Sequence, residues 1–361
     1  MAGSSWLAPP ARRASSPATS PSATTCSSRA TRTPRRTKGV FNLQQTTASD
    51  PLGCRLNPTS TTFVHCYDDD PDKPWTQWTQ YIIEAAQLAR QAAKAQYGRY
   101  PRFTYAIGWS NGGYQVRRAM EEAPELFNGG VDLAGVFPSP NIFADLPLML
   151  QQVPLYVASG FNPASAAAQA IRAGGYPPDI INKDGLSFWE LHYMVFYEVV
   201  MCQWQKQFDP AYDTYAAGLA NYDYAARVAV SDVENRLAEI ELTGKIKRPL
   251  VTVAGTMDGI VIVEHHARAY AAKVAAYLQE NQDDQLQYRY WEIQNGNHID
   301  AFKQSFPQLQ RIVPHGQHAF DLLVQFVEAG EDLPPSQCVP PGGAISATPA
   351  QPGLCPELLV P

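Results

Sequence analysis

The sequence predicts an α/β chain built on a parallel sheet, and three observations carry that prediction. Short apolar runs rich in β-forming residues alternate with helical patterns of 10–18 residues, the signature of strand–helix–strand units. One strand–turn–helix junction carries the pattern Gly-x-Ser-x-Gly at residues 108–112. Between 138 and 248 the alternation stops and a helical, aromatic stretch takes over.

The elements follow in order. The segment 76–97 places Ile82, Ala85, Ala86 and Ala89 at helical spacing, and Gly98 follows as a stop signal. RFTYAIG (102–108) reads as a strand, and a helical pattern runs from Tyr114 to Ala123. GGVDLAGVF (129–137) and PLVTVAG (249–255) read as buried strands. A helix over 263–280, a strand over 287–293 and a final helix over 315–329 complete the alternation. The expected organisation is a low-complexity segment 1–37, a core formed by 38–137 and 248–330, a helical cap 138–247, and a Pro-rich tail 331–361 without periodicity. The cap aromatics Phe188, Trp189, Tyr193, Phe196, Tyr197, Trp204, Phe208, Tyr212 and Tyr215 read mainly as the cap's own core.

Composition narrows the function classes. At 361 residues the chain exceeds the ~250–300 over which one core usually keeps growing, so one elaborated domain or two domains are expected. Hydrophobic residues make up 45%, ample for a core, and no stretch reaches the ~18 apolar residues of a membrane helix. Charged residues, at 17%, fall below the ~25% usual in soluble domains. The net charge of −6 hides an asymmetry: residues 1–38 hold seven Arg or Lys and no acid, leaving 21 bases against 34 acids in the rest. An acidic body argues against nucleic acid as a partner. Of residues 1–38, 26 are Ser, Thr, Ala or Pro, too little apolar surface to offset ordering entropy. The segment lacks the apolar core of a secretory signal, and the expectation is that authentic sequence begins near Lys38.

The cysteines point to an oxidising compartment. Cys54 and Cys66 bracket a Pro/Thr loop and Cys338 and Cys355 a Pro/Gly-rich tail, so these are disulfide candidates of a secreted or periplasmic protein. Cys202 reads as a buried thiol, and Cys26 lies in the low-complexity segment. No Cys-x-x-Cys spacing suggests zinc.

The chemistry is read from Ala106-Ile107-Gly108-Trp109-Ser110-Asn111-Gly112-Gly113. A nucleophile on a tight strand-to-helix turn needs small neighbours, which Gly108 and Gly112 supply. The turn projects the Ser110 hydroxyl at the positive end of the next helix, and the Asn111 backbone N–H becomes one oxyanion donor. A serine hydroxyl requires a base. Of the seven histidines, His265 and His266 lie within a helix, His192 in the cap and His65 near the Cys54–Cys66 loop, while His315 and His318 begin the last helix. His298 stands on the Asn/Gly loop after the 287–293 strand, where an imidazole can reach across to the serine. Asp258 follows the 249–255 strand and is the candidate to orient that imidazole. Asp132, inside a strand, and Asp300, too near His298 in sequence, are weaker rivals.

The Ser…Asp…His order and contexts resemble the α/β-hydrolase superfamily over about residues 38–330. The long insert resembles the tannase and feruloyl esterase group and the 3-hydroxybutyrate oligomer hydrolases, and Gly-Trp-Ser-x-Gly-Gly resembles cutinase-like polyester hydrolases. The resemblance implies a serine esterase of apolar, aromatic or hydroxyacid-oligomer esters, with no cofactor or metal, and Trp109 facing the substrate. Tannase-type enzymes carry a cysteine before the serine and one after the histidine; here Trp109 and Ile299 stand there. The resemblance also implies strands before residue 102, one followed by the loop that gives the second oxyanion N–H. None is legible in 1–37, so that donor is unassigned and those strands are expected to be missing or mistranslated. The alternatives are a prolyl-oligopeptidase-like peptidase, an acyltransferase, and a non-catalytic binding protein on the same scaffold.

Overall fold

Strands that are apolar on both faces need cover on both faces, and the structure supplies it. In this computed structural model residues 78–212, 217–281 and 286–349 are described. Their main sheet is parallel throughout, in the order β1 (Tyr105–Trp109), β2 (Gly129–Leu133), β3 (Leu250–Gly255), β4 (Tyr288–Ile293) and β7 (Gln337–Val339). All of β2 and β3 is buried, which is why both read as near-continuous apolar runs. A two-stranded ladder, β5 (Gly296–Asn297) with β6 (Gln310–Arg311), lies beside it.

Helices α1 (Trp78–Tyr97) and α2 (Asn111–Glu122) flank β1, and α2 sits directly on β1 and β2. A Cβ on Gly113 would collide with the Asp132 carboxylate and the Gly135 backbone, so glycine is what lets α2 approach the sheet. Between β2 and β3 come α3 (Ile142–Ala158), α4 (Ala166–Ala173), α5 (Phe188–His192), a π turn (Tyr193–Tyr197), α6 (Glu198–Phe208), α7 (Tyr224–Val228) and α8 (Val233–Ala238). After β3 a second π turn (Glu264–Arg268) leads into α9 (Ala269–Asn281), and α10 (Val313–Ala329) follows β6 and packs on β2 and β3. α10 carries Pro at its start and ends on Gly330 in the left-handed region at φ 76°. The architecture is a parallel sheet with helices on its faces and a helical insert between the neighbouring strands β2 and β3.

Three features differ from the sequence reading. The Pro-rich stretch after 331, expected to lack regular structure, supplies β7. Its pairing is anchored by the Trp291 indole N–H donating to the Pro335 carbonyl at 3.0 Å and the Gln294 N–H donating to the Val339 carbonyl at 2.9 Å. A three-residue strand is too short to leave a periodic signal. The helix expected over 263–280 opens with a π turn. Cys202, read as a thiol, is buried and disulfide-bonded, as is Cys338; Cys26, Cys54, Cys66 and Cys355 lie outside the described residues, and with them the candidate pairs. The segment 1–37 and the strands expected before residue 102 lie outside them as well, apart from 78–101, which holds α1.

Candidate active site

The nucleophile candidate stands where β1 meets α2. Ser110 has φ 59° and ψ −122°, a left-handed conformation that side-chain-bearing residues rarely adopt and that costs on the order of 1–3 kcal/mol. Two sheet-side hydrogen bonds hold it: its N–H donates to the Leu133 carbonyl at 2.9 Å, and its carbonyl accepts from the Val136 N–H at 3.1 Å. The steric requirement falls on Gly108, where a Cβ would run into the Gly112 backbone carbonyl. Gly112 was expected to share that demand, but a Cβ there would meet nothing within 4 Å; its backbone, not its missing side chain, is what Gly108 must avoid. Asn111 is the first residue of α2, so its backbone N–H stands at the positive end of the helix.

The acid and base candidates come together from loops at the ends of β3 and β4. The His298 Nδ1–H donates to Asp258 Oδ2 at 2.6 Å, and both side chains are buried. The other carboxylate oxygen, Oδ1, accepts from the Ile260 and Val261 N–H groups at 2.8 and 2.7 Å. Asp258 therefore has a fixed direction as well as a partner. The His298 loop is closed by a left-handed Asn295 (φ 58°) and by Gly296, whose Cα lies against Gly255 so closely that a side chain on either would clash. The imidazole lies beside the elbow: the Trp109 ring is centred 5.5 Å from it, tilted by 43°. Trp109 is 38% exposed, so the residue preceding Ser110 is at once a neighbour of His298 and part of the site's open rim.

Both rival acids are engaged elsewhere. Asp132 accepts from Arg117 Nε at 2.6 Å and from the Thr252 hydroxyl at 2.9 Å, in a fully buried pair beneath the elbow. Asp300 accepts from the Ile312 and Val313 N–H groups at the start of α10, at 2.8 and 3.3 Å. Two of the rival histidines, His265 and His266, are likewise occupied. His265 Nδ1 bonds Asp145 on α3 at 2.7 Å, and His266 Nδ1 accepts from the Phe137 N–H at 2.9 Å. Burial, reinforced by the nearby Arg117 cation, pushes His266 down to about 3, so it stays neutral. His65 lies outside the described residues.

Sequence reasoning passed over a contact between the insert and the acid loop. The Tyr197 hydroxyl donates to the Gly259 carbonyl at 2.9 Å, and the His192 ring lies so close to the Gly259 Cα that a Cβ there would sit 3.2 Å from it. Phe188 packs on Phe302 and Phe306, just beyond His298, with centroids 6.2 and 5.1 Å apart. In the sequence both aromatics read mainly as part of the insert's own core. Nothing in their local spacing distinguishes a residue that packs inward from one that packs on another loop.

Among the described residues no group of three or more His, Cys, Asp or Glu side chains could hold a metal ion, and no helix is long and apolar enough to cross a membrane.

The chain is similar to several known proteins. The family model of the 3HB-oligomer hydrolases matches residues 206–356, a stretch that contains Asp258 and His298. A D-(-)-3-hydroxybutyrate oligomer hydrolase of Burkholderia thailandensis is 38% identical over 111 residues, covering 29% of this chain and 15% of that protein. Proteins with the same description from Burkholderia mallei and Burkholderia pseudomallei match at 38% over 110 residues. The match thus spans 15% of the length of these relatives. Among solved structures, feruloyl esterase B from Aspergillus oryzae is similar at a TM-score of 0.48 and 14% identity, covering 72% of this chain and 67% of that one. Tannin acyl hydrolase from Aspergillus niger is similar at 0.42 and 10%, covering 71% and 63%.

Proposed function

We propose that the chain is a serine hydrolase of carboxylic esters, with Ser110 as nucleophile, His298 as general base and Asp258 as the residue that orients it. The observation that carries this reading is the buried 2.6 Å His298–Asp258 pair lying, through Trp109, beside a serine held in a strained strand-to-helix turn. In the reaction, Ser110 Oγ attacks the acyl carbon while its proton passes to His298 Nε2. The Asp258 carboxylate, accepting from Nδ1–H, stabilises the imidazolium that forms. The negative oxygen of the tetrahedral intermediate accepts from the Asn111 N–H at the head of α2, where the helix dipole adds to the attraction. His298 then gives its proton to the departing alkoxide oxygen, leaving an acyl-serine. Water, deprotonated by the same histidine, adds to the acyl carbon and releases the acid. The second oxyanion donor is left unassigned.

The substrate class that fits best is an oligomeric hydroxyacid ester of the 3-hydroxybutyrate kind, supported by the family match over 206–356. Trp109, exposed beside the imidazole, would line the acyl or alcohol side of the cleft. A secreted or periplasmic location is supported by the oxidised state of Cys202 and Cys338.

The test is a fluorophosphonate probe together with a panel of esters running from short acyl and 3-hydroxyacyl oligomers to aromatic acyl groups. Wild type should be labelled and should hydrolyse the oligomers best. Ser110→Ala should abolish labelling and lower kcat by about 10^4-fold or more. A Ser110→Ala variant with unchanged turnover would overturn the assignment.

A further inference from the structure

The π turn at Tyr193–Tyr197 is placed where its geometry matters. In an α-helix, residues five apart point about 140° away from each other, because each step turns about 100°. Adding a residue to one turn brings them toward a common face. Here the residues five apart are His192 and Tyr197, and their rings lie 6.0 Å apart and near parallel at 28°. That shared face meets one residue, Gly259, which follows Asp258: His192 lies against its Cα, and the Tyr197 hydroxyl holds its carbonyl. Any larger residue at 259 would press on the His192 ring. The two extra-wide positions on the outside of the turn, Met194 and Val195, are exposed at 38% and 46%, so the turn is not widened to bury them.

The clamp is anchored on both sides. The His192 Nδ1–H donates to the Phe188 carbonyl at 2.7 Å, which fixes the ring and its tautomer. Phe188 and His192 both pack on Phe302, four residues beyond His298, so the same helix touches the acid loop and the base loop. Burial pushes His192 down to about 4, so the ring is neutral and adds no competing charge beside Asp258 and His298.

We propose that the π turn is a positioning device, in which His192 and Tyr197 grip Gly259 and thereby hold the Asp258 carboxylate in line with His298. The inference rests on the esterase reading for its kinetic consequence, but the His298–Asp258 geometry it concerns can be read without catalysis. Two alterations test it. Tyr197→Phe removes only the hydroxyl that holds Gly259. Gly259→Ala places a methyl about 3.2 Å from the His192 ring, which pushes the acid loop off the clamp. The first readout is the far-downfield proton NMR signal of the His298 Nδ1–H shared with Asp258, recorded in a Ser110→Ala background. The second is kcat and KM of the otherwise wild-type enzyme.

The signal should broaden or move upfield in both variants. In both, kcat should fall, about tenfold for Tyr197→Phe and more for Gly259→Ala, with KM within threefold of wild type. If Gly259→Ala does not fold, Tyr197→Phe carries the test alone. An unmoved proton signal together with unchanged kcat overturns the proposal, and so does a loss confined to KM, which would make these residues substrate contacts. If wild type hydrolyses no ester, the esterase reading fails; a shifted proton signal would then still uphold the positioning role, and an unmoved one would remove it.

Discussion

The two sides of the candidate site are built on different principles. On the nucleophile side, position is set by the backbone: Ser110 sits in a left-handed turn enforced by Gly108 beneath it and by hydrogen bonds from its own main chain to the neighbouring strand. On the acid–base side, position is set by packing from afar. Asp258 and His298 stand on separate loops, braced by an aromatic helix about 60–110 residues earlier and by a strand about 40 residues later. The first side is a local solution that tolerates exposure; Trp109 and Ile107 on β1 are both partly open. The second is a collective solution that stays dry. The lesson is that strain can place one atom precisely with few partners, whereas a charged pair needs enclosure to hold its direction.

Asp258→Asn should separate direction from enclosure most sharply. The amide keeps the volume but cannot favour the same imidazole tautomer, and kcat should fall by about 10^4-fold. Stopped assays on the purified variant, with circular dichroism to confirm folding, check this; a loss below tenfold would mean that the carboxylate is not the orienting group. Next in size is Asp132→Ala, which strips the buried Arg117 cation of its partner below the elbow. It should cost about 3–5 kcal/mol of stability while leaving the activity of the folded fraction near wild type. Urea denaturation and active-site titration measure the two effects separately. A variant as stable as wild type but inactive would restore Asp132 as a rival acid.

The smallest effect concerns proton uptake by the enclosed side. His192 and His266 are held neutral in the fold, pushed down to about 4 and about 3 by burial, against about 6.5 when unfolded. Below pH 6.5 the unfolded chain binds protons that the native one refuses. This part of the stability is therefore complete above 6.5 and is lost as pH falls toward 4. By pH 5 each histidine should cost about 2 kcal/mol. His265, raised by its bond to Asp145, works in the opposite sense, so the histidine contribution is read as a difference. The fall in melting temperature from pH 7.5 to 5 should be smaller in His192→Asn than in wild type. Equal falls would show that His192 is not kept neutral by the fold.

The same contrast explains what was legible in the sequence. The elbow could be read because its requirements lie within six residues: a strand, glycines, a serine and a helix. Asp258 and His298 could be read because each follows a strand of clear apolar pattern. Strands β2 and β3 were visible because burial on both faces leaves nearly continuous apolar runs, and β4 because Tyr288, Tyr290, Trp291 and Ile293 are strand formers. What escaped is what depends on distant partners. β7 is a strand only because β4 offers it an edge, since Gln337-Cys338-Val339 has no pattern of its own. Tyr197 and His192 hold the acid loop only because a π turn aligns them, and a π turn has no compositional mark in Tyr-Met-Val-Phe-Tyr. Gly112 was misjudged for a related reason: the motif says that space is tight, but only coordinates say whose side chain would fill it.

The late strand β7 has a consequence for how the molecule is made. The row of peptide groups along the outer side of β4, which leads straight into the His298 loop, stays unpaired until the ribosome has released residues up to 339. While residues 294–339 are being made, the nascent sheet therefore carries an open, adhesive margin beside the part of the site that most needs to be shut in. A polypeptide stopped just short of 337 would hold every candidate catalytic side chain and still leave that margin ready to pair with a neighbouring molecule.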